Sequence, residues 1–342
     1  MATLDDIAQA LGVSKSTVSK ALSGAKDVSK AMRQSVLEKA VELGYSRGIR
    51  KSTAPRIAVF VINMNYRQPE DFGYEIISGF RKAAEPAGYQ VEIIELTREI
   101  QERSRYDEFM VYENYSGGLF LGLSLLDPWL KEFETCRTPT VLYDNRVSGN
   151  PNVTAVGVEN VEAMKMGVLY LKSLGHNRIG YLSSALEAHI YQQRHSAFFQ
   201  AMAECGLEAG PEMGGTSFHI SKCLSEHLPR LLAQGCTAIM CSHDILAHSA
   251  MIHCREQGIR VPEDLSILGF DDIPLCRFTS PPLTTIRQNR SALGKSAFYA
   301  MSSLLNKVAI SSLFLHPELV IRSSCAPANQ NSDSVSVKDP QK

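Results

Sequence analysis

The sequence predicts a small all-α helix-turn-helix domain followed by an α/β core of two doubly wound, parallel-sheet lobes. Three observations carry this reading. Residues 3–45 show helical periodicity alone, with a capping residue at each expected helix start. From residue 57 onward, short β-rich runs alternate with amphipathic helices, the pattern of parallel strands buried on both faces. These repeats are too many for one small sheet, so they divide over two similar lobes with a cleft between them.

The first helix is expected from Leu4, where Thr3 caps a first turn made acidic by Asp5 and Asp6. Leu4, Ile7, Ala8 and Leu11 keep one apolar face. Gly12 breaks that helix, Ser14 caps a second, and Val18 and Leu22 give the second its inner face. The spacing Ala8, Gly12, Val18 is what two helices crossing at a tight turn require. Lys15, Ser16, Ser19 and Lys20 then line the outer face with free donors, as a reader of base edges needs. Ser29 caps a third helix carrying Met32, Val36, Leu37 and Val41.

Charge supports a nucleic-acid partner. Residues 1–56 hold ten Lys and Arg against five Asp and Glu, while the rest of the chain is net acidic. The total of −1 hides this asymmetry, which draws phosphate to one end only. The segment 46–56 is basic and lacks hydrophobic period, so it reads as a linker.

In the core, strands are expected at Ile57–Ile62, Val91–Leu96, Gly118–Leu121, Thr140–Tyr143, Ile179–Leu182, Ala238–Cys241 and Ser266–Phe270. Helices are expected at about 71–87, 161–174, 191–204, 223–234, 244–257 and 290–307, with Trp129 as a half-buried helix anchor. The core spans 57–328, its N-lobe about 57–158 and 289–316, its C-lobe about 159–288 and 317–328. Residues 329–342 are polar and aperiodic, the composition of a disordered tail.

Composition excludes several classes. At 342 residues and 44% hydrophobic, the chain has a globular composition, and no run reaches the roughly 20 apolar residues a bilayer span needs. The eight cysteines lie in apolar segments without a C-x-x-C pair and read as reduced thiols of a cytoplasmic protein. GVSKST lacks the Gly before Lys of a phosphate loop. His243, His248 and His253 step five residues apart, about 140° around a helix, and cannot converge on a metal. A solute-binding or enzymatic protein on the same two-lobed core is the competing class. The first would lead with an export signal and the second would show a nucleophile, metal cluster or phosphate loop. Neither a cofactor nor a metal is expected.

Four stretches carry a resemblance: TLDDIAQALGVSKSTVSKAL, GVENVEAMKMGVLYLKSLGHNRIGYL at 157–182, SILGFDD at 266–272 and PPLTTIRQN at 281–289. In this order and spacing they resemble the lactose-repressor/galactose-repressor (LacI/GalR) family of bacterial transcription regulators over about residues 3–326. The resemblance implies a homodimeric repressor on a pseudo-palindromic double-stranded DNA operator. It also implies a periplasmic-binding-protein-like core whose cleft takes a small, sugar-like effector.

Carried over residue by residue, the family's base readers fall on Lys15, Ser16 and Lys20, with Thr17, Ser19 and Ser29 as phosphate contacts and Thr3 as a further DNA-binding residue. Effector positions fall on Asn63, Phe72, Asp144, Arg194, Phe218, Asp271 and Gln288. Two departures stand out. The family's Y-x-P-N-x-x-A-R-x-L hinge wedges a Leu into a base step. This chain has Ser46-Arg47-Gly48-Ile49-Arg50-Lys51 instead, about five residues shorter, leaving Arg47 and Arg50 for the minor groove and Ile49 as the only apolar wedge. In MCSHD, His243 stands where relatives carry Asn or Asp, so an imidazole replaces an amide or carboxylate among the effector positions.

Overall fold

The computed structural model describes residues 2–45, 54–184, 186 and 188–329. The tail beyond Asn329 and most of the linker, with Arg47, Ile49 and Arg50, lie outside the described residues. In chain order the elements are α1 (Leu4–Leu11), α2 (Lys15–Leu22), α3 (Lys30–Glu42), β1 (Arg56–Val61), α4 (Phe72–Ala84), β2 (Gln90–Glu95), α5 (Arg98–Arg103), α6 (Tyr106–Glu113), β3 (Gly117–Leu121), α7 (Trp129–Glu132), β4 (Thr140–Tyr143) and β5 (Val153–Val158). There follow α8 (Asn160–Ser173), β6 (Ile179–Ser184), α9 (His189–Glu204), β7 (Gly214–Ser217), α10 (Ile220–Ala233), β8 (Ala238–Cys241), α11 (Asp244–Glu256), β9 (Ser266–Asp271), β10 (Thr284–Arg287), α12 (Arg290–Leu305), β11 (Ser312–Leu315) and β12 (Glu318–Val320).

The first three helices form a compact reader because each start and the tight turn are locally specified. The Thr3 hydroxyl accepts the Asp6 N–H at 3.2 Å while Asp6 accepts the Thr3 N–H at 2.7 Å, a reciprocal capping box. Ser14 accepts the Thr17 N–H at 3.1 Å and Ser29 the Met32 N–H at 3.2 Å. Gly12 ends α1 at φ 65°, a left-handed conformation that a side chain resists. Ile7, Ala8, Val18, Ala21, Leu22, Val36, Leu37 and Ala40 close the small core.

The chain divides into two compact units. The first contains Met1–Arg67, Gly73–Gly157 and Arg290–Leu313, and the second Gln68–Phe72, Val158–Asn289 and Phe314–Lys342. Each carries one six-stranded sheet, ordered β11-β5-β4-β3-β1-β2 in the first and β12-β10-β9-β8-β6-β7 in the second. β1 pairs parallel with both β2 and β3, and β8 pairs parallel with both β6 and β9, so both sheets are doubly wound. β12 runs antiparallel to β10 at its sheet edge. β1, β3, β4 and β5 are almost wholly buried, as strands covered on both faces must be.

Several elements escape the sequence pattern: α5, α6, β5, β7, β10, β11 and β12 have no counterpart among the expected ones. Trp129 is fully buried, not half-buried. Its indole N–H donates to the Ser104 carbonyl at 2.9 Å, which satisfies the one polar atom and lets the ring enter the core beside Phe60, Tyr106 and Phe120. All eight cysteines are free and six are buried. Among the described residues, no helix is long and apolar enough to cross a membrane.

Candidate DNA-reading face and effector-contact residues

Lys15 and Ser16 are the first two residues of α2, and Lys20 lies near its end. All three are exposed, as are Ser19, Thr3 and Ser29, and Thr17 is half-exposed. Lys15 pairs with Asp5 at 2.6 Å and Lys20 pairs with Asp27, both at the surface. Such pairs contribute little and exchange readily for a phosphate or a base edge. The hydroxyls of Thr3 and Ser29 already serve as caps, and the Thr17 hydroxyl meets that of Ser14 at 2.9 Å. The hydroxyls at these three positions are therefore already engaged within the protein.

In the second unit, four of the expected effector residues gather at the carboxyl ends of neighbouring strands. Asp271 closes β9, Gln288 follows β10, and His243 follows β8, while Arg194 reaches them from α9. Arg194 is buried, with Nε donating to Asn160 Oδ1 at 3.1 Å and Nη1 to the Ser242 carbonyl at 2.7 Å. Nη1 also lies 3.6 Å from Asp271 Oδ1. Gln288 Nε2 donates to the same Asp271 oxygen at 2.6 Å. Asp271 has φ 119°, a strained backbone held by this network. The result is a preorganised set of one guanidinium, one carboxylate and one amide, suited to hydroxyl groups.

His243 has a structural role that the sequence did not reveal. Its Nδ1 accepts the Leu246 N–H at 3.0 Å, capping α11. That fixes the proton on Nε2, which donates to the Ser184 hydroxyl at 2.8 Å. Burial, with the neighbouring Arg194 charge adding to it, holds the imidazole down at about 4. His243 is thus a neutral group occupied at both nitrogens. Its neighbour Asp244, absent from the expected set, is buried and accepts the Thr285 hydroxyl at 2.6 Å and the Ile273 N–H at 3.0 Å. Burial first, and Asp271 second, push its carboxyl up. Asp272, next to Asp271, is paired with Arg287 and Arg322 at 2.7 and 2.6 Å. Burial works against the Asp272 carboxylate, but those two guanidinium partners outweigh it and hold the carboxyl below its usual range.

The remaining expected contacts lie on other elements. Asn63 and Asp144 follow β1 and β4 in the first unit, with φ 49° and 55°, at the carboxyl edge of that sheet. Phe72 packs against the apolar core of the second unit. Phe218 lies after β7 and is 69% exposed. Sequence reasoning missed Asn160, Ser242 and Phe270, which position Arg194. Asn160 lies within the stretch GVENVEAM, and Phe270 directly precedes Asp271.

A three-helix reader ahead of two doubly wound lobes, with polar groups at strand ends, defines a DNA-binding regulator with a ligand-binding core. Residues 3–48 match the lacI family of bacterial regulatory proteins, and residues 168–325 match the periplasmic binding protein-like domain. The HTH-type transcriptional repressor CytR of Escherichia coli (strain K12) is 32% identical over 335 residues, covering 94% of this chain and 96% of that one. The HTH-type transcriptional repressor PurR of Pasteurella multocida (strain Pm70) is 28% identical over 333 residues, covering 95% and 98%. Among solved structures, the transcriptional regulator CelR–cellobiose complex aligns with TM-score 0.68 at 24% identity, covering 95% and 100%. The lac repressor dimer bound to operator and the anti-inducer ONPF aligns with TM-score 0.66 at 22% identity, covering 95% and 99%. These two likenesses concern the fold. The chain belongs to the LacI family of bacterial transcription regulators.

Proposed function

We propose that the chain is a repressor that binds a pseudo-palindromic operator as a homodimer, reading each half-site with Lys15, Ser16 and Lys20. Its operator affinity is set by a small, sugar-like effector held by Arg194, Asp271 and Gln288 of the second unit, with Asn63 and Asp144 as further polar contacts. Phe72 and Phe218 are proposed to supply apolar faces. Lysine at the N-terminal end of a recognition helix donates to guanine O6 and N7, whereas Ser16 accepts several bases. The effector acts through its differential affinity for two core states. One observation carries the reading: α2 presents Lys15 and Ser16 at an exposed, capped N-terminus on a folded three-helix reader.

The repressor names of the CytR and PurR relatives support negative control, and the cellobiose bound to the CelR neighbour supports a carbohydrate class of effector. His243 is expected to shape the effector site indirectly, by holding Ser184 and the start of α11. The test has two arms. Duplexes selected from a random library by the full-length protein should share a two-fold repeat, and light scattering should give about twice 37.7 kDa. A thermal-shift screen of sugars, polyols and nucleobases should find a stabilising compound, and that compound should change operator affinity. A monomer, or a selected duplex without repeat symmetry, would defeat the dimeric reading.

A further inference from the structure

We propose that the DNA reader is mounted on the α/β lobe of the first unit by a direct contact between α3 and α6. This mount, rather than the linker, fixes the distance at which a dimer presents its two readers. The inference rests on the reading of the chain as a dimeric DNA-binding protein.

Helix α6 has two working faces. Tyr106, Phe109 and Met110 pack into the apolar core of the lobe with Phe60, Phe120 and Trp129. On the opposite side of the helix, Val111 packs against the core of the reader, the cluster of Ile7, Val18, Val36 and Leu37. Glu108 is buried, and its Oε1 accepts from Gln34 Nε2 of α3 at 3.0 Å. Close approach continues beyond α2: a Cβ on Gly24 would stand 2.6 Å from the Tyr112 hydroxyl, which places the end of this α6 side chain against the turn. Position 24 also has φ +72°.

A cation locks the far end. Arg137 Nη1 donates to the Val41 carbonyl at 3.1 Å and also to that of Glu42, in the last turn of α3. A guanidinium there meets the last carbonyls of the helix at the negative end of its dipole. Arg137 is itself held in place. Its N–H donates to Asp107 Oδ2 at 2.9 Å, and the Thr138 N–H and hydroxyl donate to Asp107 Oδ1 at 3.0 and 2.7 Å. Asp107 lies in the first turn of α6, so the helix that touches the reader also positions the residue that caps it.

The tether favours closure. From Tyr45 to Ala54 the chain can span at most about 30 Å. A short tether gives a local concentration of order millimolar, at which even a weak contact is populated. Lys15, Ser16, Ser19 and Lys20 remain exposed with the contact made, so the mounted reader can face DNA.

The experiment measures spacing stringency with full-length protein. Duplexes selected by the wild type from a random library are rebuilt with one, two or three base pairs added between half-sites. Wild type is expected to lose at least tenfold in affinity per changed spacing. Arg137→Ala and Gln34→Ala, both surface changes that leave the reader core intact, should flatten that profile together while single half-site binding stays within twofold. Arg137→Lys, which keeps the charge on a somewhat shorter side chain, should fall between. Identical spacing profiles in wild type and variants would overturn the mount. So would tighter binding of the selected duplex by the variants, which would mean that the contact holds the reader away from DNA. Failure of the wild type to select any duplex would instead sink the DNA-binding reading beneath it.

Discussion

The guanidinium carbon of Arg194 stands 3.6 Å from the centroid of the Phe270 ring, while Nη1 is 3.6 Å from Asp271 Oδ1. The strand that supplies the carboxylate thus also supplies the aromatic face on which the cation rests. A buried cation is tolerated because stacking, the Ser242 carbonyl and Asn160 replace its hydration.

Removing that cation should show first in stability. Arg194→Ala leaves the Asn160 and Ser242 acceptors and the Asp271 carboxylate short of a partner, at a cost of about 3–5 kcal/mol. Arg194→Lys retains the charge but not the fork, and should recover part of it. Denaturant unfolding of the ligand-free protein measures both. A loss under about 0.5 kcal/mol for the alanine variant would mean that the network contributes nothing to the fold.

Lys15→Ala is expected to weaken operator binding by roughly 1–3 kcal/mol and leave binding to unrelated DNA nearly intact. Titrations on a selected operator and on random duplex at one salt concentration distinguish the cases. Equal losses on both would reassign Lys15 to a phosphate.

Much of the fold is legible in the chain because its strands are covered on both faces. IAVFVI and AIMC carry no polar alternation and have no other home than the middle of a sheet. Edge and late strands are harder: β11 and β12 are short and only partly buried, so their residues give no pattern. Helix α6 is obscured because both of its faces are in use, one toward the lobe and one toward the reader, which erases amphipathic contrast. At the candidate site, Arg194 and Asp271 are each reached through the family resemblance, whereas their pairing emerges only in the fold. The role of His243 as a cap is not legible either, since an imidazole rarely takes the place of Asn or Asp ahead of a helix.

His243 gives a pH dependence with a definite sign. Its folded value, about 4, lies below the ordinary 6.5, so the neutral form is the one the fold prefers. The corresponding stability is fully present above about pH 6.5 and is lost as pH falls from there through 4. The full difference amounts to about 3 kcal/mol at most. In His243→Asn, the amide oxygen can accept from Leu246 without titrating. Melting curves between pH 7 and 4 should therefore fall less steeply for the variant. Parallel curves would show that the imidazole charges without cost.

The caps of the reader should matter beyond their position near DNA. Ser29→Ala removes the acceptor of the Met32 N–H and should cost about 1 kcal/mol of reader stability. Ser29→Gly should cost only a few tenths. Hydrogen exchange across 30–42 reads this directly. If both variants exchange like wild type, α3 is held by its packing alone.

Beyond the short excursion at Gln68–Phe72, the chain passes from the first unit to the second after Gly157, returns at Arg290 and leaves again after Leu313. Each sheet takes an edge strand, β11 or β12, from the last stretch of the chain. A premature stop codon anywhere upstream of residue 312 therefore deprives both sheets at once, and no truncated product retains a finished lobe. Such alleles should behave as simple recessive losses, because a fragment with neither sheet complete has no intact core with which to pair with full-length subunits and poison them.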